Sequence, residues 1–296
     1  MPRSAYLWCP AYPLGNAAQQ ASAIATAQRL TEALGLKLVI SPLLDRHPGP
    51  GAWLSADERR ADLRYALGPD HSHDLLIAAR GGYGCIDLLP DLLAHPGPLP
   101  GLVGYSDLSL FHAWYFRQQA PAWYGFMPGV TTGPRALAST LALMRGEGLR
   151  CDATSDPGVT VLRPGHADGR MFPTCLRILA SLAGTPALPD LTGAILAIED
   201  IDERPYQIDR DLNQLHAAGA LRGVSGLVGG RFPCATLPPG YAGPSSAAIL
   251  QIWAERLAVP AIIGLGFGHE DDPVTLPNGT DATLEARNGV WGLRGR

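Results

Sequence analysis

The chain has 296 residues, 46% apolar and 17% charged, with a formal net charge of -4. That length supports a large core and two domains, and the composition is that of a folded chain rather than a disordered one. The acidic balance argues against a basic surface for nucleic acid, and no apolar run is long enough to span a bilayer.

Residues 5–9 read as a short first strand, closed by Pro10 and Pro13. Asn16 caps an alanine-rich helix over 17–34, where Ile24, Ala27, Leu30, Thr31 and Leu34 form an apolar stripe. Gly35 ends that helix and 38–41 is the next strand. Strand, helix and strand in this order predict a parallel sheet. After a loop over 45–51, Ser55 and Glu58 have capping-box spacing for a helix running to residue 67. A strand over 75–79, a helix over 86–93, a strand ending at Gly104 and a buried helix over 108–115 follow. His112 lies among aromatics in that last helix and reads as a packed, hydrogen-bonded histidine. A helix over 135–144 closes the first half.

From 148 to 170 the chain turns to Gly, Pro, Asp and short apolar pieces, with a brief strand over 159–162. That shift predicts an N-terminal domain over 1–150, a linker over 151–170 and a second domain over 171–296. The second half is expected to open with a helix over 172–182. An apolar strand over 193–198 then ends in Glu199-Asp200, and a helical segment carries Tyr206, Ile208, Leu212 and Leu215. Strands over 224–229 and 261–265 follow, the latter leading into Gly266-Phe267-Gly268-His269. Residues 274–277 and 281–284 flank Asn278-Gly279, a hairpin signal. The fold class is therefore α/β in two domains, the first an open, mostly parallel sheet with flanking helices.

Two small-residue turns follow apolar strands: Arg80-Gly81-Gly82-Tyr83-Gly84 and Gly104-Tyr105-Ser106-Asp107. In an open α/β sheet both face the crevice beyond the carboxyl ends of the strands. A serine on a strand-to-helix turn is an exposed nucleophile when a base is at hand, and glycine-rich turns free N–H groups for an oxyanion. Glu199 and His269 also sit just past apolar runs, and serine, acid, histidine is a chain order seen in serine hydrolases. The second glycine of the G-x-S-x-G elbow is absent. Read singly, Ser106 is equally a helix cap, Glu199 and Asp200 a solvated turn or partners of Arg204 and Arg210, and His269 a surface histidine or part of a metal site with Glu270, Asp271 and Asp272. The glycine turn matches neither G-x-G-x-x-G nor a phosphate loop with lysine, so no nucleotide cofactor is expected, and without an H-E-x-x-H helix or a cysteine pair no metal is expected. Five cysteines (Cys9, Cys85, Cys151, Cys175 and Cys234), odd in number and without close pairs, suit a reducing compartment. With no signal peptide in evidence, the expected location is the cytoplasm.

Taken together, the motifs resemble the L,D-carboxypeptidase family of serine peptidases, which includes murein tetrapeptide carboxypeptidases and microcin C immunity peptidases. The residues that carry the resemblance are Asp57-Glu58-Arg59-Arg60-Ala61-Asp62-Leu63, the two turns above, Ile198-Glu199-Asp200 with Pro205-Tyr206-Gln207-Ile208-Asp209-Arg210, and Phe267-Gly268-His269 followed by Leu276-Pro277-Asn278-Gly279. The resemblance implies Ser106 as nucleophile, His269 as base and Glu199 as the orienting acid, with N–H groups of Asp107 and Gly82 as the oxyanion hole. It implies a site between the two domains, a homodimer, and a small peptide substrate ending in a D-amino acid, with murein tetrapeptide first. A peptide-nucleotide antibiotic is the alternative substrate, and a catalytically silent binding protein the alternative class. Arg80 is either a clamp for the substrate carboxylate or a brace for the glycine turn, and Tyr83 is a substrate-binding residue beside it. Two segments depart from the family pattern: Tyr124-Gly125-Phe126-Met127 stands where H-G-P-M is usual, and Arg170–Leu176 where G-G-N-L is usual. Both are expected near the domain interface or the substrate groove.

Overall fold

The computed structural model describes residues 3–46, 53–68, 73–130, 133–234, 236–237, 239–287 and 290–295. The loop expected over 45–51 lies, from residue 47, outside the described residues. The first half runs β1 (Ser4–Trp8), α1 (Ala17–Leu34), β2 (Lys37–Ile40), α2 (Ala56–Leu67), β3 (Leu75–Ala78), α3 (Leu89–Ala94), β4 (Gly101–Gly104), α4 (Ser109–Gln118), β5 (Ala122–Tyr124) and α5 (Pro134–Met144). There follow β6 (Leu149–Asp152), β7 (Thr160–Arg163), β8 (Gly165–Cys175), α6 (Leu176–Ser181), β9 (Ile195–Glu199), α7 (Pro205–Ala217) and β10 (Gly226–Gly229). The chain ends with α8 (Ser246–Leu257), β11 (Ala261–Ile263), β12 (Leu276–Asn278), β13 (Asp281–Arg287) and β14 (Val290–Gly295).

Local chemistry sets the helix ends. The Asn16 side chain accepts the Gln19 N–H at 2.9 Å at the start of α1, and Gly35 closes it in the left-handed region. Both halves of the Ser55–Glu58 capping box are formed at α2.

The first sheet has the order β12-β5-β4-β3-β1-β2, parallel except for β12, which runs antiparallel to β5 at one edge. Strand periodicity splits its side chains between two cores. Ala5 and Leu7 of β1 join Ala23, Ala27 and Leu30 of α1 and Ala136 of α5 on one face. Tyr6 and Trp8 point the other way, into a larger core containing Leu63 of α2 and Phe111 of α4. That core continues into the second domain, where α4 packs on β8. The second sheet has the order β6-β14-β13-β8-β9-β10-β11-β7, with β8 to β11 parallel and the flanking strands antiparallel. Two α/β domains thus share a continuous apolar interior.

Three expectations change. The stretch 151–170, expected as a linker, supplies part of β6, all of β7 and the first half of β8 to the second sheet. Its Gly, Pro and Asp content reflects exposed antiparallel edges rather than a free connection. The helix expected over 172–182 begins only at Leu176, because residues 171–175 pair in parallel with β9. Residues 165–170 pair instead with β13, so β8 changes partner midway and Pro173 needs a ladder on one side alone. Finally, Asn278-Gly279 does not join a hairpin: β12 leaves its sequence neighbour and pairs with β5, while β13 pairs with β8 and β14. α8, capped by Ser245, is not among the elements expected from sequence.

Candidate active site

β4 ends at Gly104, and the chain turns through Ser106 into a short 3-10 turn and then α4. Ser106 is held at φ 68, a left-handed conformation that side chains other than glycine rarely adopt. Its N–H donates to the Tyr124 hydroxyl at 3.3 Å. The Gly81 backbone lies against it so closely that a β-carbon there would fall 2.9 Å from Ser106 Cβ. The Asp107 carboxylate joins the two turns by accepting the Cys85 N–H at 2.8 Å. Behind the glycine turn the buried Arg59 guanidinium pairs with Asp87 at 2.5 Å and bonds the Leu54 carbonyl.

Glu199 ends β9 and is fully buried. Its Oε2 accepts the His269 backbone N–H at 3.2 Å and lies 2.7 Å from His269 Nδ1. Its Oε1 accepts the Tyr124 hydroxyl at 2.6 Å. Gly268, at φ 79, is required by this contact, since a β-carbon would fall 2.2 Å from the Glu199 carboxyl carbon. His269 Nε2 lies 3.0 Å from Ser106 Oγ. A carboxylate only accepts, so Nδ1 carries the proton and Nε2 is left to accept from the serine hydroxyl. The His269 loop is also tied to the first domain: Asp272 accepts the N–H groups of Arg135 and Ala136 at the start of α5. Asp272 is therefore a helix cap here.

The electrostatics favour this arrangement. Burial pulls the His269 pKa down, but the Glu199 charge, its hydrogen bond, and the charges of Asp200 and Asp202 outweigh it, so the net shift is upward. Asp200 is pushed up to about 7, first by burial and then by the neighbouring Glu199 charge. It accepts the N–H groups of Arg177 and Ile201 at 2.8 and 3.0 Å. Burial, then the charge of Glu199, raises the Tyr124 phenol well above its ordinary value, so it remains a donor.

The structure brings Ser106, Glu199 and His269 into one hydrogen-bonded chain, with Asp107 next to the serine; Gly82 is exposed and its backbone lies against the Tyr12 ring. Arg80 bonds the Pro13 carbonyl at 3.5 Å and lies over the Tyr12 ring. Tyr83 is half exposed and stacks on Trp53. His112 is buried with Nε2 2.9 Å from the Gly104 carbonyl oxygen, and burial lowers its pKa to about 4. Tyr124, expected near the domain interface or the groove, is fully buried and its hydroxyl bonds both the Ser106 N–H and Glu199. Cys175, in the second departing segment, is buried with its thiol directed at Asp200.

A family model described as the LD-carboxypeptidase N-terminal domain matches residues 6–125, and one described as the LD-carboxypeptidase C-terminal domain matches 168–284. A putative carboxypeptidase of Streptomyces coelicolor is 34% identical over 272 residues, covering 86% of this chain and 83% of the relative. The chain belongs to the LD-carboxypeptidase family. A probable murein peptide carboxypeptidase of Bacillus subtilis is 30% identical over 270 residues, covering 88% of this chain and 83% of that one. The crystal structure of muramoyltetrapeptide carboxypeptidase from Oxalobacter formigenes superposes with a TM-score of 0.80 at 28% identity, covering 98% of each chain. The microcin C7 self immunity protein MccF shares the fold, with a TM-score of 0.79 at 18% identity over 100% of this chain and 96% of that one. As a member of this LD-carboxypeptidase family, the protein is a hydrolase acting on small peptides. Among the described residues of this family member, no helix is long and apolar enough to cross a membrane.

Proposed function

We propose that the protein is a serine L,D-carboxypeptidase that releases the terminal D-alanine of murein tetrapeptide. The observation that carries this reading is the unbroken chain Glu199–His269–Ser106, with Oε2–Nδ1 at 2.7 Å and Nε2–Oγ at 3.0 Å. His269 takes the Ser106 proton as Oγ attacks the carbonyl carbon between the L-centre and the D-residue. The N–H groups of Asp107 and Gly82 receive the developing oxyanion. His269 then protonates the leaving amine, the C–N bond breaks, and an acyl-enzyme remains on Ser106. Water, deprotonated by His269, attacks the ester and restores the serine. Glu199 fixes the imidazole tautomer and balances its charge. Arg80, tethered through Tyr12 and Pro13, and Tyr83 hold the substrate in this reading. The setting is the cytoplasm, and the working unit a homodimer.

A second reading keeps the chemistry and changes the acyl donor to a peptide-nucleotide amide. The half-exposed Tyr83 and Trp53 rings, stacked at 6.2 Å, favour it as a platform for a planar base. The test is mass spectrometry of purified protein incubated with murein tetrapeptide, beside Ser106→Ala. Loss of D-alanine with the unaltered protein alone is the expected result. A folded protein that releases none overturns the murein assignment and directs the same assay to peptide-nucleotide amides.

A further inference from the structure

Between the two halves of the site lies one hydroxyl that touches both. Tyr124, the last residue of β5, donates to Glu199 Oε1 at 2.6 Å and accepts the Ser106 N–H at 3.3 Å and the Ser109 hydroxyl at 3.4 Å. Ser109 in turn accepts the Cys175 N–H at 2.8 Å, across the domain boundary. The ring is immobilised by T-shaped contacts with His112 and Phe267 and a tilted contact with Tyr105, which itself packs edge-on against His269. We propose that Tyr124 is a positioning residue that couples the orienting acid to the nucleophile turn, so that Glu199 and Ser106 are held in register across the domain interface.

Two consequences follow from the geometry. Without the Tyr124 hydroxyl, the Ser106 N–H loses its partner in a turn already held at φ 68, so the nucleophile is freer to leave its reactive pose. Glu199 also keeps its His269 bonds but loses the donor on its other oxygen. Tyr124 bonds the carboxylate more strongly when His269 is neutral than when imidazolium shares the charge. It therefore favours the neutral imidazole that serves as base. The titratable groups acting on His269 are Glu199, Asp200 and Asp202, with the Tyr105 ring against it; those acting on Tyr124 are Glu199 and Cys175, with the His112 and Tyr105 rings against it.

The proposal rests on reading Ser106, His269 and Glu199 as the triad, and its test separates the two. Tyr124→Phe keeps the ring and removes the hydroxyl, while Tyr115→Phe removes a buried hydroxyl of α4 outside the triad. The rate of Ser106 labelling by a fluorophosphonate is measured against pH in both and in the unaltered protein, with kcat and KM on murein tetrapeptide. Tyr124→Phe should lower the labelling rate and kcat by about 10- to 100-fold. KM should stay within about twofold, and the acid limb should move to higher pH. Tyr115→Phe should change none of these. Failure of the unaltered protein to label at Ser106 sinks the triad reading. The titration of His269, followed by NMR of isotope-labelled imidazole, still reads the Tyr124 contribution. An unshifted His269 titration in Tyr124→Phe, or equal losses in both variants, overturns the proposal. Should Tyr124→Phe not fold, the unaltered protein labelled with tyrosine carbon-13 at Cζ decides: a Tyr124 signal indifferent to the His269 titration overturns it.

Discussion

Replacing Glu199 by Gln tests the site where its electrostatics are most concentrated. The carboxylate is fully buried and accepts three hydrogen bonds: from His269 Nδ1 and the His269 N–H on Oε2, and from Tyr124 on Oε1. A glutamine amide has one oxygen to offer. If its nitrogen faces His269, it confronts the backbone N–H and donates to Nδ1, which drives the ring proton to Nε2 and removes the acceptor for Ser106. If its oxygen faces His269, the geometry survives but the charge that balances the imidazolium is gone. Loss of the orienting carboxylate in such a triad is worth about 10⁴-fold in kcat, or about 5 kcal/mol of barrier. The pH profile gives the sign. As the proposed base, His269 must be neutral, so activity should fall as pH drops through its pKa, which lies above the ordinary histidine value in the unaltered protein. Glutamine removes the two largest upward contributions, the Glu199 charge and its charged hydrogen bond, so the pKa falls, with burial opposed only by the weaker charges of Asp200 and Asp202. The acid limb of kcat/KM should therefore move to lower pH while its plateau collapses. D-alanine release from murein tetrapeptide, and fluorophosphonate labelling as a substrate-independent readout, measure both. A Glu199→Gln protein within tenfold of the parent, or a limb moving upward, refutes the reasoning.

Gly81→Ala should lower kcat by about 10- to 100-fold, because its β-carbon would sit 2.9 Å from Ser106 Cβ and push the nucleophile out of line. Thermal unfolding should shift little, and a parent-like rate would show that the turn yields instead. Tyr83→Ala should raise KM by about 2- to 10-fold with kcat preserved, the scale of one lost stacking contact. An unchanged KM would remove Tyr83 from the substrate surface.

What the sequence made legible is what local chemistry fixes. The Asn16 and Ser55 caps, the Gly35 terminus and the strand-to-turn placement of Ser106, Glu199 and His269 all depend on neighbours within a few residues. What stayed hidden depends on distant partners. The apolar run at 171–175 suits a strand or a helix equally, and only its pairing with β9 decides. Asn278-Gly279 has local hairpin chemistry, but β12 finds its partner in β5, about 150 residues upstream, and the Asn278 amide donates to the His112 carbonyl. Tyr124 could be read as a departure from a motif, yet its bonds reach Ser106 and Glu199 from a strand between them. Arg59 sits in a segment legible as a helix from its capping box, with nothing local to say that its side chain supports the glycine turn.

The most direct test of the site is peptide mapping after treatment with a fluorophosphonate. An adduct on Ser106 that disappears in His269→Ala is the predicted result, because His269 Nε2, 3.0 Å from Oγ, is the proposed base for that hydroxyl. A folded protein that carries no adduct, or carries it on another serine, contradicts the triad.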